Sequence, residues 1–156
     1  MAITTAVCNS FKTELLAMTP NTAADVYKLV LIKAGHAGTY GAGTTAVGTP
    51  GSGAPSTSNL GTDAVAASGD YASVNGITLA GFAASLDGST AILTFTDPAA
   101  LTGTTISADG AIVYNSSRAN RACGVFAFAS TVTSTAGNFD INLPAAAAAT
   151  ALIRLA

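Results

Sequence analysis

The stretch "AIVYNSSRANRACGVFAF", residues 111–128, decides the fold. "AIVYN" has strand character, "SSRAN" is polar and turn-like, and "RACGVFAF" returns to strand character. Two such runs separated by about five polar residues read as a β-hairpin. Asn115, Ser116 and Ser117 are able to close the turn through side chain to backbone hydrogen bonds. Arg118 and Arg121 then stand at or near the tip, two of the six Lys+Arg residues in the chain. In a chain so short of charge they are candidate salt-bridge contacts to a partner's carboxylates. The competing reading is two solubilising charges at a turn.

Working outward, the β signals continue on both sides. "DVYKLVLIKAG", 25–35, reads as a strand with Tyr27, Leu29 and Leu31 on one face and Lys28, Val30 and Ile32 on the other. Both faces are partly apolar, so both are expected to be covered. "GITLAGFAASLDG" runs into a turn at Asp87-Gly88-Ser89, and the strand "TAILTFTD" follows until Asp97-Pro98 breaks it. "TTISADGAIVYNSS" is read with a turn at Asp109-Gly110 and a strand over Ala111–Asn115. In "GNFDINLPA", Phe139, Ile141 and Leu143 alternate with Asn138, Asp140 and Asn142, which predicts one face in and one out. "PAAAAAT", 144–150, is too short for an independent helix and reads as a compact crossover. "TALIRLA" closes the chain as a last strand.

Two segments depart from this pattern. "TAVCNSFKTELLAM", 5–18, places Ala6, Phe11, Leu15 and Met18 close to one stripe, with Asn9 or Ser10 as cap and a stop at "TPN". This makes residues 1–20 a short N-terminal helix or arm. Residues 35–76 are nearly all Gly, Ala, Ser and Thr. They predict a long excursion over the surface, anchored by Tyr40, Leu60, Val65 and Tyr71, with "TYGAGTTAV", "NLGTDAVA" and "DYASV" as candidate short strands or turns. Tyr40 and Tyr71 are also the candidate partner contacts of this loop, the exposed aromatics that a receptor-binding role would favour. The chain as a whole, 1–156, is expected to be a single mainly β domain: a β-sandwich or jelly-roll-like barrel with one short helix and one long Gly/Ala/Ser/Thr-rich loop.

Composition narrows the function. Charged residues are 9% of the chain and hydrophobic residues 49%, much of the latter alanine. Few solubilising charges fit a surface covered by partners or by copies of itself. The net charge of −2 comes with no basic patch that would hold nucleic acid. "MAITTAVCNSFKTELL" carries no basic and apolar leader pattern, and no run of about twenty apolar residues predicts a membrane span. Cys8 and Cys123 have no metal spacing; two buried thiols are favoured over a disulfide.

Chemistry-bearing patterns are sparse. His36 lies in a Gly/Ala loop without a placed nucleophile, and is expected to be solvent-exposed. Asp63, Asp70, Asp87, Asp97, Asp109 and Asp140 are scattered, several of them beside Gly or Pro as turn residues are. The glycines of 35–53 match no phosphate-loop pattern. No catalytic residue, metal ligand or cofactor is predicted.

The segments "TAVCNSFKTELL", "DVYKLVLIKA", "GAIVYNSSRANRA" and "GNFDINLPA" with the closing "IRLA" together resemble a family of small structural proteins of tailed bacteriophages. "YNSS" followed by a basic residue and "NRA" is the most specific of them. The resemblance implies a virion protein, made in the host cytoplasm, of the cement or decoration type. Such a protein binds the major capsid protein lattice and associates with itself, a homotrimer being expected, with no enzymatic activity. Low-copy attachment at the tail or fibre base is the second reading, and a small entry-related hydrolase the third.

Overall fold

A computed structural model describes residues 1–17 and 21–155. Its elements in chain order are β1 (Ala6–Val7), α1 (Asn9–Leu16), β2 (Tyr27–Lys33), a 3₁₀ turn at Gly61–Asp63, β3 (Ile77–Leu79), β4 (Ala83–Asp87), β5 (Thr90–Thr94), β6 (Leu101–Asn115), β7 (Arg121–Phe139) and β8 (Ile153–Leu155). They form a five-stranded sheet, β1-β7-β6-β2-β3, and a three-stranded sheet, β4-β5-β8. Every pairing is antiparallel. The protein is mainly β and of the sandwich type, with one short helix near its N-terminus.

β2 lies where its sequence demands. It is paired on both edges, by β3 and β6, and Val30, Leu31 and Ile32 are fully buried. Apolar residues on both faces of one strand stabilise only when both faces are covered. The residues flanking the second sheet supply part of that cover: Phe82, just before β4, and Phe95, just after β5, pack on Tyr27, with ring centroids 5.0 and 5.3 Å away. Such aromatic contacts contribute roughly 0.5–1.5 kcal/mol each beyond area burial.

The hairpin forms with a five-residue loop between Asn115 and Arg121. Its arms are longer than the sequence predicts, because Asp109-Gly110 is not a turn. β6 continues through it with an irregularity at Asp109: Ile32 and Lys33 of β2 pair with Gly110 and Ala108, while Ala108 stands opposite Val132 and Gly110 opposite Ala127 of β7. Phe128–Thr131 therefore face Asp109 alone, as a wide bulge, and the Thr131 hydroxyl donates to Asp109 Oδ1. Gly110 is needed for closeness rather than reversal; a Cβ there would stand 2.6 Å from the Phe126 carbonyl oxygen.

The helix is shorter than predicted. Ala6 and Val7 pair with Val125 and Gly124, so their backbone groups belong to the sheet, and the helix starts only after Cys8. Cys8 occupies the cap position without a side-chain hydrogen bond, in place of Asn9 or Ser10. Phe11 is its buried residue; Met18 and the stop at Pro20 lie outside the described residues.

The long loop is anchored at the four expected positions, since Tyr40, Leu60, Val65 and Tyr71 are all buried. It is, however, a covering layer rather than a free excursion. The three candidate strands shrink to isolated bridges such as Ile3 with Tyr40 and Ile32 with Ala64. The Val65 amide donates to the Leu31 carbonyl at 3.0 Å. Gly76 returns the chain to β3 at φ +80°, where a Cβ would meet the Leu29 carbonyl oxygen at 2.0 Å.

The C-terminal part follows the alternation. Phe139 is buried, while Ile141 and Leu143 are half-buried against the core. The alanine run forms a turn closed by the Ala151 amide on the Ala147 carbonyl, 2.8 Å, and β8 then adds to β5.

Candidate functional site

The hairpin loop is built from its turn residues upward. Ala119 and Asn120 adopt positive φ, 50° and 56°, which reverses the chain. Asn115 at the end of β6 is fully buried and uses its whole amide. Its Nδ2 donates to Asn21 Oδ1 and Asp25 Oδ2, both at 3.0 Å, and its Oδ1 accepts the Ser117 amide at 3.1 Å. Ser116 donates its hydroxyl to the Val26 carbonyl at 2.8 Å, and the Val26 amide donates to Ser117 Oγ at 2.9 Å. The turn is thus closed by the three residues expected, but onto the segment before β2 as well as onto itself.

Both arginines have partners within the chain. Arg118 Nε lies 3.3 Å from Asp25 Oδ2, and Arg121 Nε lies 2.6 Å from Glu14 Oε1. The side chains of Arg118 and Arg121 stay 38% and 42% exposed, so each guanidinium is both an internal tie and part of the surface. The Asn115 amide, with Thr22 and Arg118 adding to it against the cost of burial, holds the Asp25 carboxyl below the usual carboxylate range. Asp25 and Glu14 gave no signal in the sequence as partners of the tip; their link to it exists only in three dimensions.

Tyr40 and Tyr71 require correction. Neither is an exposed loop aromatic: their exposures are 1% and 0%. Aromatic rings among small residues are the material the loop has for anchoring itself, and their hydroxyls find partners inside. Tyr40 donates to Asp63 Oδ2 at 2.7 Å, and the Tyr71 hydroxyl accepts the Leu31 amide at 3.1 Å. Burial pushes the Tyr71 phenol up to about 12.

Asp63 is the hub that sequence reasoning missed. Its side chain is fully buried, accepting the amides of Ala37 and Gly38 at 3.0 and 2.7 Å besides the Tyr40 hydroxyl. Lys33 Nζ stands 3.8 Å away. Burial favours the protonated acid, but the amides, the hydroxyl and the ammonium outweigh it and hold the carboxyl below its ordinary value. An aspartate between two apolar anchors, Leu60 and Val65, is the only trace of this in the sequence.

His36 is also more enclosed than expected. Its side chain is 9% exposed and its Nδ1 lies 3.5 Å from Asp109 Oδ2. Cys8 and Cys123 are buried and free, as favoured from the sequence. Burial pushes the Cys8 thiol up to about 12 and raises that of Cys123 as well, so both stay protonated and weakly nucleophilic. Among the described residues no three His, Cys, Asp or Glu side chains converge on a possible metal position.

The geometry fixes three distant parts of the chain to one another: α1, the approach to β2 and the hairpin tip. Compared with known proteins, the chain matches no family model, no curated protein and no solved structure.

Proposed function

We propose that this chain is a non-enzymatic structural protein of a phage virion, which binds the lattice of the major capsid protein and stabilises the head. One observation carries the reading. Three of the separate segments that resemble small phage structural proteins hold each other. "CNSFKTELL" meets "YNSSRANRA" through Glu14 and Arg121, and the Cys8 amide donates to the carbonyl of Cys123, the residue that follows the second segment, at 3.0 Å. "YNSSRANRA" meets the approach to "VYKLVLIKA" through Asn115, Arg118 and Asp25. Ties of this kind make one scaffold of the three segments, and a scaffold is what a cement protein supplies.

The physical logic of the role is additive. A rigid β body with many small-residue surfaces makes weak contacts, and multiplying them over a lattice gives stability without high affinity at each site. Tying the loop, helix and hairpin internally lowers the ordering cost of each contact.

The test is the copy number of this chain in purified particles, by quantitative mass spectrometry against the major shell protein. A ratio near one per shell subunit is expected. A ratio at least an order of magnitude smaller moves the protein to the neck or tail, and absence from particles overturns the reading.

A further inference from the structure

The three-stranded sheet presents an apolar face that the body covers only in part. Residues directly opposite in an antiparallel pair share a face. Ala84 faces Leu93, Leu86 faces Ala91, and these continue to Ile153 and Leu155. All six are apolar. Leu93 and Ile153 are buried at 8% and 2%, but at the outer end Leu86 is 73% and Leu155 41% exposed. A cleft of about 150 Å³ separates this face from Phe11 and Leu15 of α1. The other face is tied down: Asp87 accepts the Ala148 amide, and Arg154 donates to the Ala149 carbonyl.

β4 is also an edge. It pairs with β5 alone, and all five of its residues are exposed. Edges of monomeric sheets are protected by charges, lysine above all, by proline or by a bulge; "AASLD" has no lysine or proline, its register with β5 runs unbroken, and its one charge, Asp87, accepts the Ala148 amide. The outer edge of β7 is different, for it is broken by the wide bulge at Phe128–Thr131 and by Ala136 at φ 46°. β4 is therefore a flat edge without protection of that kind.

Its residues are complementary to themselves. The two-residue turn at Gly88-Ser89 makes Asp87 and Thr90 a hydrogen-bonded pair, so alternation leaves the N–H and C=O groups of Ala84 and Leu86 pointing outward. A two-fold axis through Ser85 sets Ala84 of one copy opposite Leu86 of the other, and all of these groups pair at once. The same axis lays each large Leu86 against a small Ala84 on the apolar face. It also places each Asp87 opposite Ala83 rather than opposite its own copy, so no like charges meet.

We infer that β4 pairs with β4 of a second copy across this two-fold axis, joining two three-stranded sheets into one of six strands. The isolated protein is then a dimer rather than the trimer that the phage resemblance implies. The inference stands apart from the virion role, since it concerns the protein in solution.

Two measurements test it. Sedimentation of the wild-type protein at micromolar concentration is expected to give a dimer, and Leu86→Asp to raise its dissociation constant by at least about tenfold. Ser85→Cys is expected to cross-link two copies under glutathione disulfide, because Ser85 faces its own copy in a non-hydrogen-bonded pair with Cα atoms roughly 4.5 Å apart, within disulfide range. Ala83→Cys, set opposite Asp87, is expected not to. The cross-link needs no destabilising change, so it decides the matter if Leu86→Asp fails to fold. A wild-type monomer or trimer, or a dimer in which Ser85→Cys links no faster than Ala83→Cys, overturns the inference.

Discussion

Arg121 at the start of β7 and Glu14 in α1 meet with Nε and Oε1 2.6 Å apart, so a charge pair fastens the helix to the hairpin. The carboxylate side chain is 14% exposed and the guanidinium 42%. Exposed pairs couple by roughly 0.2–1 kcal/mol, and the half-buried setting puts this one near the upper end, about 1 kcal/mol. A double-mutant cycle over Glu14→Ala and Arg121→Ala, followed by urea unfolding, is expected to return that coupling and to lose much of it in high salt. The same arginines bear on the virion reading. Arg118→Ala with Arg121→Ala is expected to weaken particle binding, whereas Asp25→Asn with Glu14→Gln loosens the same ties but keeps both guanidinium groups. If the two double variants bind equally, the tip is a structural tie and not a contact surface.

Asn115 predicts a larger and more specific loss. Asn115→Ala removes the buried amide that satisfies Asn21, Asp25 and the Ser117 amide in a half-buried site. Leaving buried polar groups unpaired costs about 1–3 kcal/mol, and thermal unfolding is expected to register a loss in that range. Asn115→Asp keeps the shape but sets a second carboxyl 3.0 Å from Asp25 Oδ2. That variant is expected to be the less stable of the two at neutral pH and to recover part of the difference on acidification, when one proton serves both acids.

How far the sequence reaches depends on where its partners lie. The hairpin was legible because alternation and turn chemistry sit in contiguous residues, and β2 because apolar residues on both faces admit few placements. Asp109-Gly110 carries the same local signal as a turn, yet becomes a bulge, since Ile32 of β2 pairs with Gly110 and holds the strand extended through it. Ala6 and Val7 fit a helical stripe until β7 offers them an edge. The ties at Asp25 and Asp63 were invisible for a related reason. A lone aspartate among small residues looks like a turn residue, and only the folded chain brings two amides and a phenol to Asp63. Tyr40 and Tyr71 show the same limit: a loop rich in glycine and alanine gives no period from which inside and outside can be told.

Asp63 makes the pH dependence of the loop predictable. Its carboxyl is held below the usual range in the folded chain, and an unfolded aspartate titrates near 3.9. A group with a depressed folded pKa contributes stability that is fully present above the unfolded value and is lost as pH falls through the folded one. Asp25, Asp70 and Asp109 shift in the same direction through their own hydrogen bonds, so the chain is expected to lose stability below about pH 4. Asp63→Asn isolates one contribution. Its amide still accepts through one oxygen, but it turns a donor toward the Ala37 and Gly38 amides or the Tyr40 hydroxyl. The expected cost at neutral pH is about 2–3 kcal/mol, as for hydrogen bonds to a charged group, with a shallower stability-versus-pH curve on the acid side. Amide exchange would localise the effect: residues 35–65 should lose protection first, with the β6–β7 hairpin unchanged. An acid limb as steep in Asp63→Asn as in the wild type would assign the pH dependence to the other aspartates and leave Asp63 with a purely steric role.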